Sequence, residues 1–349
     1  MTIGYIFSYF GEGGAEENAY LLARSAQEAG HKVVFLVSSY ADSAILRLKS
    51  AGLDIIFLPM ESSFNLWSIC RSVIGIKKLV NEKDINIIHA HMLREQSLSI
   101  LAKLFGGNFK LVRTFHRFDQ FNIKMKPLMP VYCRLTDAYI SISTDMTSYL
   151  SRNGIKKKVH LIHNGVPKIK AVEHRQALGF IGRLSPEKGI LKFIKANTEG
   201  LKKTKLVVAG DGPDFEAISQ FVSEYKLKVQ MLGRVTDKAE FYQSISVLVL
   251  PSETEVLPLV VLEAYSCGLP VVAFRLDPLD DLVSSQNGAL VGYPDYQELF
   301  SQAFKLINKA SSYSELNIAK YDAEYSVDRM WSRTDDLYIS LLNNKKVVK

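Results

Sequence analysis

The feature that most constrains the fold is an alternation of short apolar runs with longer segments of helical periodicity, repeated along the 349-residue chain. Short apolar runs are typical of strands buried in a parallel sheet, and the helical segments are the crossovers that such strands need. In the first half the predicted strands are residues 3–9, 32–37, 55–58, 85–90, 111–115, 138–142 and 159–162. In the second half they are residues 178–181, 205–209, 229–232, 247–250 and 271–273. Two such series predict an α/β protein with two Rossmann-like domains that face each other across a cleft.

The predicted boundary between the two series is a turn, Asn164-Gly165-Val166-Pro167, followed by polar residues 168–176 without periodicity. We therefore expect a first domain over residues 1–167 and a second over residues 177–325. Apolar residues recur at helical spacing in residues 326–342, which predicts a C-terminal helix that packs back before a short tail ending at residue 349.

The charge is unevenly distributed between the halves. Residues 1–165 hold 20 Lys and Arg against 13 Asp and Glu, so the whole net charge of +7 lies there. A basic surface can bind nucleic acid, anionic lipid or an acidic substrate. Because no nucleic-acid-binding motif accompanies the charge, we expect no nucleic acid partner and favour anionic lipid or a charged glycan.

The three cysteines, Cys70, Cys133 and Cys267, lie far apart without the spacing of metal ligands, so we expect no metal site and a reducing compartment. No apolar run is long enough to span a membrane, and the N-terminus lacks a signal-peptide pattern. The expected location is cytoplasmic, with possible peripheral binding to the inner face of the cell membrane.

Candidate site residues follow the predicted strands of the second half, where ligands bind in open parallel sheets. Residues 251–272 read PSETEVLPLVVLEAYSCGLPVV, with Glu255 and Glu263 eight positions apart. Pro258 suits the first turn of a helix over residues 257–267, which Gly268 would end. This places Glu255 in a loop and Glu263 within the helix. The spacing alone fits equally well a surface glutamate and an unrelated helix glutamate.

The start of this predicted helix and three other strand ends favour an anionic ligand. The N–H groups of Leu259 and Val260 would open the helix, where the dipole attracts an anion. Arg183 and Lys188 share the loop 182–189, and a diphosphate would relieve their mutual repulsion. Two solvated surface cations would explain that loop as well. The remaining strand ends carry the turn 210–213, which begins with Gly210, and the run 233–235, which contains Arg234 and Val235.

Taken together, these motifs are similar to those of a known family. In chain order they are GGAEENA, HAH at 89–91, TFH ending at His116, HNGVP, GRLSPEKG, VVAGDGP, LGRV and the run 251–272. The chain resembles the glycosyltransferases of family 4, which have the two-domain GT-B fold. The resemblance implies a retaining, metal-independent enzyme that takes a sugar from a nucleotide-sugar, with a UDP-sugar favoured, and needs no other cofactor. It also implies a glycan or lipid-linked acceptor, and a place in bacterial surface polysaccharide or lipopolysaccharide synthesis.

The resemblance also implies roles for particular residues. The diphosphate would contact Arg183, Lys188, the N–H groups of Leu259 and Val260, and the glycines Gly13 and Gly14. Glu263 would accept hydrogen bonds from the ribose, and Glu255 would contact the transferred sugar. The backbone around Arg234 and Val235 would contact the base, and Gly210 would approach the donor. His116 would lie beside the reacting carbon, whereas His89 and His91 are expected to be structural.

Two features depart from the family pattern, and a third stands outside it. Val256 occupies a position where the family often has Gly, so the identity of the donor sugar stays open. Residues 275–278 replace a Gly-Gly turn, which would alter the outer wall of the pocket. The segment 117–135 interleaves aromatic and apolar residues with Lys124, Lys126 and Arg134. It would face the acceptor and touch an anionic membrane surface, or it would simply be a packed loop and helix with solvated lysines.

Two other classes of protein also fit these motifs. A sugar-nucleotide epimerase of the same fold and a non-catalytic nucleotide-sugar-binding subunit would use the same donor site. A dehydrogenase is disfavoured because the first strand and turn lack the GxGxxG fingerprint of dinucleotide binding.

Overall fold

The computed structural model describes residues 1–60, 65–118, 128–170 and 176–343. The chain forms two compact units, of which the first comprises Met1–Gly165 with Val327–Lys349 and the second Val166–Ser326. The strands are β1 (Thr2–Phe10), β2 (Lys32–Tyr40), β3 (Asp54–Phe57), β4 (Ile87–Ala90), β5 (Lys110–Phe115), β6 (Ala138–Ser141), β7 (Val159–Leu161), β8 (Ala177–Ile181), β9 (Lys205–Ala209), β10 (Val229–Gly233), β11 (Val247–Leu250), β12 (Val271–Phe274) and β13 (Gly288–Val291).

The helices alternate with these strands. They are α1 (Gly14–Glu28), α2 (Asp42–Ser50), α3 (Leu66–Glu82), α4 (Leu93–Leu104), α5 (Met129–Leu135), α6 (Thr144–Arg152), α7 (Ile190–Ala196), α8 (Thr198–Leu201), α9 (Phe215–Glu224), α10 (Lys238–Gln243), α11 (Leu259–Ser266), α12 (Asp277–Asp280), α13 (Tyr296–Ile307), α14 (Ser314–Glu324) and α15 (Val327–Asn343).

The first unit is a parallel sheet in the order β3-β2-β1-β4-β5-β6-β7. Its strands are apolar on both sides because helices cover both faces of the sheet. Helices α1, α2 and α15 pack on one face, where Met330, Leu337 and Tyr338 of α15 join the core. Helices α3 and α4 pack on the other face. The prediction that the C-terminal helix packs back is confirmed, and α15 belongs to the first unit.

The second unit is a parallel sheet in the order β10-β9-β8-β11-β12-β13. Its strand order reverses between β8 and β11, and open α/β sheets bind ligands at the carboxyl ends of strands at such a point. The predicted strands agree with the structure to within one or two residues in this unit. One strand, β13, was not predicted, because Gly288 opens a run of only four residues that gives little periodic signal.

The structure corrects the expected linker. The second unit begins at Val166, and residues 166–170 are attached to it rather than free. Lys168 forms an ion pair with Asp322 at 2.8 Å, and the Ile169 N–H donates to Ser266 Oγ at 3.2 Å. Residues 171–175 of the expected linker lie outside the described residues. The chain also returns to the first unit after Ser326, so two connections join the units.

Candidate functional site

In the second unit, two loops at the point of strand reversal touch backbone to backbone. The loop after β8 reaches the loop after β11 through Gly189, whose φ is +68° and where an added Cβ would lie 2.1 Å from the Pro251 carbonyl oxygen. The Glu253 N–H donates to the Glu187 carbonyl at 2.9 Å. Only glycine fits at position 189, because both the φ angle and the close approach exclude a side chain.

This contact brings two predicted donor residues together. Lys188 Nζ lies 2.6 Å from Glu255 Oε1, and the Glu255 side chain is 9% exposed. The structure therefore corrects the expectation that Arg183 and Lys188 form a pair of unbalanced cations, since Glu255 already balances Lys188. Arg183 lies exposed in the same loop.

The loop after β9 lies against the loop after β8 on one side and the end of β10 on the other. Gly210 has φ +136°, and a Cβ there would lie 1.8 Å from the Gly182 carbonyl oxygen. Its N–H donates to the Gly233 carbonyl at 2.7 Å. Arg234 and Val235 follow directly, with Arg234 exposed and Val235 half-buried. These contacts fix the backbone of neighbouring strand ends, as the glycines of the sequence predict.

Helix α11 begins two residues later than expected. Pro258 is its N-cap, with φ −71° and ψ 115°, rather than a residue of its first turn. Leu259 and Val260 open the helix, so their N–H groups have no acceptor within it. The helix ends at Ser266, and Gly268 adopts φ +84° just beyond.

Helix α12 is a short helix that follows β12. Asp280 ends α12 and Asp281 is its C-cap. Arg275 forms an ion pair with Asp280 at 2.8 Å, in the segment that replaces the Gly-Gly turn of the family.

Glu263 projects from α11 into a polar pocket formed by α10. Its side chain is 7% exposed, and its Oε1 accepts from Lys238 Nζ at 2.5 Å. Its Oε2 accepts from the Tyr242 hydroxyl at 2.7 Å. Burial, with Glu263 as the next cause, raises the pKa of Tyr242 well above its ordinary value, so this hydroxyl remains a donor. A carboxylate has about four lone-pair positions, so Glu263 keeps capacity for two further donors, as a ribose would supply.

Lys238 and Tyr242 were missed in the sequence. Their spacing of four residues, in the helical segment before β11, indicates that Lys238 and Tyr242 share one helix face. Without the tertiary fold, nothing indicated that this face meets Glu263.

In the first unit, Gly13 ends the exposed turn after β1, and Gly14, also exposed, is the first residue of α1. Gly13 is the N-cap of α1, with φ −81°. A Cβ at Gly13 would lie 2.6 Å from Glu16 Oε2, the end of a flexible side chain. The fold itself therefore does not demand glycine here, whereas a ligand approaching the backbone would.

His116 belongs to a stack of three histidines at the ends of β4 and β5. The His91 ring lies between those of His89 and His116, at centroid distances of 4.5 and 5.2 Å. His89 is fully buried and bonds Tyr338 Oη at 2.6 Å and Thr114 Oγ1 at 2.7 Å. His91 Nδ1 lies 2.9 Å from His116 Nε2. Burial lowers the pKa of His116 to about 3, so its ring is neutral.

Burial also lowers the pKa of His91 well below its ordinary value, so both rings are neutral and one of them donates to the other. His91 Nε2 is buried, and no residue in the described ranges bonds it. Because a buried N–H without an acceptor is rarer than a bare acceptor, we assign the His91 proton to Nδ1. His91 then donates to His116 Nε2, and the His116 proton lies on Nδ1. His116 thus offers an N–H donor, suited to a substrate oxygen, rather than a base.

Gly13, Gly14 and His116 lie in the first unit, and the other predicted site residues lie in the second. Across residues 1–60, 65–118, 128–170 and 176–343, no group of three or more His, Cys, Asp and Glu side chains is arranged to hold a metal ion. Among the helices of those same ranges, none combines the length and apolarity required to cross a bilayer.

Two family models match the chain. The model described as Glycosyltransferase Family 4 matches residues 12–168, and that described as Glycosyl transferases group 1 matches residues 175–309. The Escherichia coli UDP-Gal:alpha-D-GlcNAc-diphosphoundecaprenol alpha-1,3-galactosyltransferase is 24% identical over 79% of this chain and 80% of its own length. The GPI3 subunit of the Saccharomyces cerevisiae phosphatidylinositol N-acetylglucosaminyltransferase is 24% identical over 86% of this chain and 74% of its own.

A solved structure shows the same fold. Anabaena HepE in complex with UDP and glucose superposes with a TM-score of 0.81, covering 97% of this chain and 99% of that one at 17% identity. The two parallel-sheet units therefore have the two-domain GT-B fold. With a family model matched to each unit, the chain belongs to glycosyltransferase family 4.

Proposed function

We propose that this protein transfers a sugar, with retention of anomeric configuration, from a UDP-sugar to a hydroxyl of a glycan or lipid-linked acceptor. The setting we propose is bacterial surface polysaccharide or lipopolysaccharide synthesis at the cytoplasmic face of the membrane. The relatives named above support the donor and the acceptor class, because one name includes UDP-galactose and both include a lipid-borne acceptor. The basic first half of the chain supports an anionic or membrane-borne acceptor.

The observation that carries the proposal is the contact between Lys188 and Glu255. In a nucleotide-sugar the diphosphate is bonded directly to the anomeric carbon, so the phosphate and the sugar must occupy adjacent subsites. A cation 2.6 Å from a carboxylate, at the strand reversal of the second unit, supplies such neighbouring subsites. Lys188 and Arg183 would bind the diphosphate, and Glu255 would accept from sugar hydroxyls.

The chemistry follows from where charge develops. The bond from the anomeric carbon to the phosphate oxygen breaks first, which leaves an oxocarbenium-like sugar and a more negative diphosphate. Arg183, Lys188 and the N–H groups of Leu259 and Val260 would favour that state over the ground state. The acceptor hydroxyl attacks from the side of the leaving group, whose oxygen takes its proton. Because two side-chain cations serve the leaving group, we propose that no metal ion is required, and a chelator should leave the rate unchanged.

The roles of Gly13, Gly14 and His116 remain predictions from the family resemblance. The membrane contact expected from residues 117–135 also remains a prediction, since residues 119–127 lie outside the described residues. Its described part includes Leu128 and Val131, which are 48% and 44% exposed.

A thermal-shift screen of UDP-, GDP- and ADP-sugars tests the donor. A ligand at about 100 times its Kd adds about 2.7 kcal/mol to the free energy of unfolding. We expect a UDP-sugar to give the largest shift, and equal shifts for all three bases would contradict that choice.

NMR of the donor incubated alone separates an epimerase, which converts the donor, from a transferase, which needs an acceptor. Release of UDP on addition of acceptor excludes a non-catalytic subunit, and NMR of the product gives the anomeric configuration.

Lys188→Ala is the decisive variant. It should weaken donor binding on the order of 10²-fold, because the diphosphate loses a charge partner and Glu255 is left without one. Lys192→Ala is the matched control, since Lys192 lies four residues on and forms an ion pair with Glu253. We expect that control to bind the donor normally. Equal losses in the two variants, measured by calorimetric titration, would show that Lys188 has no special role.

A further inference from the structure

Helix α3 of the first unit has an apolar surface on the side that faces away from the core. Its inner side packs on the sheet through Ser68, Ser72, Val73, Ile76 and Val80. We define the α3 outer face as Leu66, Trp67, Cys70, Arg71, Ile74 and Lys78, all of which are exposed. Leu66, Trp67 and Ile74 are 77%, 68% and 66% exposed. A surface helix normally carries polar residues on this side, so large apolar residues there indicate a binding surface.

Basic side chains interleave with these apolar residues. The Arg71 guanidinium lies 5.4 Å from the centroid of the Trp67 ring. Lys78 lies one turn beyond Ile74, with Lys77 and Lys83 nearby and Glu82 as the only acidic residue from Leu66 to Lys83. Apolar residues with Trp and a surplus of Lys and Arg are typical of helices that lie in the plane of an anionic bilayer surface.

The apolar surface continues onto the neighbouring helices. Helix α4 packs beside α3, and its C-terminal end exposes Leu104 and Phe105 at 59% and 67%. Helix α5 packs beside α4 and exposes Val131. These three helices pack on the same face of the sheet. One helical layer therefore presents exposed apolar residues on each of its members.

Charge distinguishes between the possible partners of this face. In a two-fold dimer the same patch meets itself, which would bring Arg71 and Lys78 of two copies together as like charges. An anionic lipid surface complements those charges instead, and the long Lys and Arg side chains can reach head groups while Trp67 and Ile74 enter the acyl boundary. The net charge of +7 in residues 1–165 adds long-range attraction to the same surface.

We propose that the α3 outer face docks the protein on an anionic bilayer, with Trp67 and Ile74 inserted at the interface and Arg71 and Lys78 at the head groups. The lipid surface is thus bound by a place on the chain separate from the strand ends proposed for the donor. This binding needs neither donor nor acceptor, so it can be tested independently of the proposed transferase reaction.

The chain offers an intrinsic probe of this contact, since its two tryptophans are Trp67 and Trp331. Trp331 packs against the core of the first unit, so Trp331→Phe leaves Trp67 as the only tryptophan. With this variant, vesicles of phosphatidylcholine and phosphatidylglycerol should shift the emission to the blue, and brominated lipid should quench it. Vesicles of phosphatidylcholine alone should do neither, and raised salt should reduce the effect.

Sedimentation with the same vesicles measures how much each side chain of the α3 outer face contributes to vesicle affinity. Trp67→Ser with Ile74→Ser should weaken binding about tenfold or more, because two apolar side chains no longer leave water. Arg71→Gln and Lys78→Gln should each weaken it about fivefold. Leu316→Ser and Lys305→Gln, at exposed positions of the second unit, are matched controls that should bind normally. Thermal unfolding checks that each variant is folded.

Several results would overturn the proposal. These are an absence of vesicle binding, binding in which the emission of Trp67 does not change, and binding that the Trp67 and Ile74 substitutions leave intact. A dimer that light scattering detects and that Trp67→Ser dissolves would assign the face to a second copy of the chain instead.

Discussion

At the scale of single residues, the candidate donor site depends on two largely buried carboxylates, Glu255 and Glu263, each of which is bonded by a more exposed lysine. Glu263 is nearly inaccessible, yet Lys238 and Tyr242 bond its two oxygens. Burying a carboxylate without partners would cost several kcal/mol, so these two partners offset that cost and fix the direction of the side chain. Glu263, which would contact the donor, is therefore positioned by Lys238 and Tyr242, which need not contact the donor themselves.

Lys238→Met tests this arrangement. Without Lys238, Glu263 Oε1 loses its cation, and we expect UDP binding to weaken about tenfold because the carboxylate is no longer held toward the ribose. A dideoxy-UDP that lacks both ribose hydroxyls should bind the variant and the unaltered protein alike. Calorimetric titration of the two ligands measures the difference. An equal loss for both ligands would show that Lys238 acts on the phosphates or on the fold, and not through Glu263.

His91→Phe tests the tautomer assigned to His116. Phenylalanine preserves the stacking of the rings but removes the donor to His116 Nε2. The His116 proton is then free to move to Nε2, and we expect transfer activity to fall about tenfold while the fold is retained. Nitrogen NMR of the imidazole reports the tautomer directly, with the proton on Nδ1 in the unaltered protein. A proton found on Nε2 there would contradict the assignment.

At the scale of elements, most of the fold is predictable because parallel strands covered on both faces are apolar along their whole length. The cations and carboxylates of the site are also predictable, because Arg183, Lys188 and Glu255 each follow a strand that ends at the same edge. The ion pair of Lys188 with Glu255 is not predictable, because it depends on the close approach of Gly189 to Pro251. Lys238 and Tyr242, the partners of Glu263, are also not predictable, because only the tertiary fold brings α10 against α11.

The loops at this edge give a prediction of their own. Gly210→Ala would place a Cβ 1.8 Å from the backbone of Gly182 at φ +136°, so the loops after β8 and β9 must separate. We expect a loss of about 3 kcal/mol in the free energy of unfolding and a weaker donor-induced thermal shift.

Gly233→Ala is the matched control for that loop. Its φ is +64°, but an added Cβ meets no atom within 4 Å in the described part of the structure. Only backbone strain remains, so we expect a loss of about 1 kcal/mol in the free energy of unfolding. Urea unfolding compares the two variants. Similar losses would show that the close approach at Gly210 contributes little and that the φ angle alone accounts for the glycine.

At the scale of the whole molecule, the histidines are divided unequally between the units. Six of the seven histidines lie in the first unit, and the seventh, His174, lies outside the described residues. His89 is fully buried there, and burial lowers its pKa from 6.5 to about 3. Between those values the unfolded chain binds a proton that the folded unit does not. The contribution of His89 to the free energy of unfolding is therefore fully present above about pH 6.5, and it is lost as the pH decreases toward 3.

We accordingly expect acid to destabilise the first unit selectively. Between about pH 7 and pH 5, His89 alone should remove about 2 kcal/mol from the free energy of unfolding, and His116 should act in the same direction because burial also lowers its pKa. Both tryptophans belong to the first unit, so tryptophan fluorescence during urea unfolding follows that unit. His89→Gln removes the titrating ring, and its stability should depend less steeply on pH, even though it is lower at pH 7. If the variant and the unaltered protein lose stability in parallel between pH 7 and 5, the buried histidine is not the cause of the acid sensitivity.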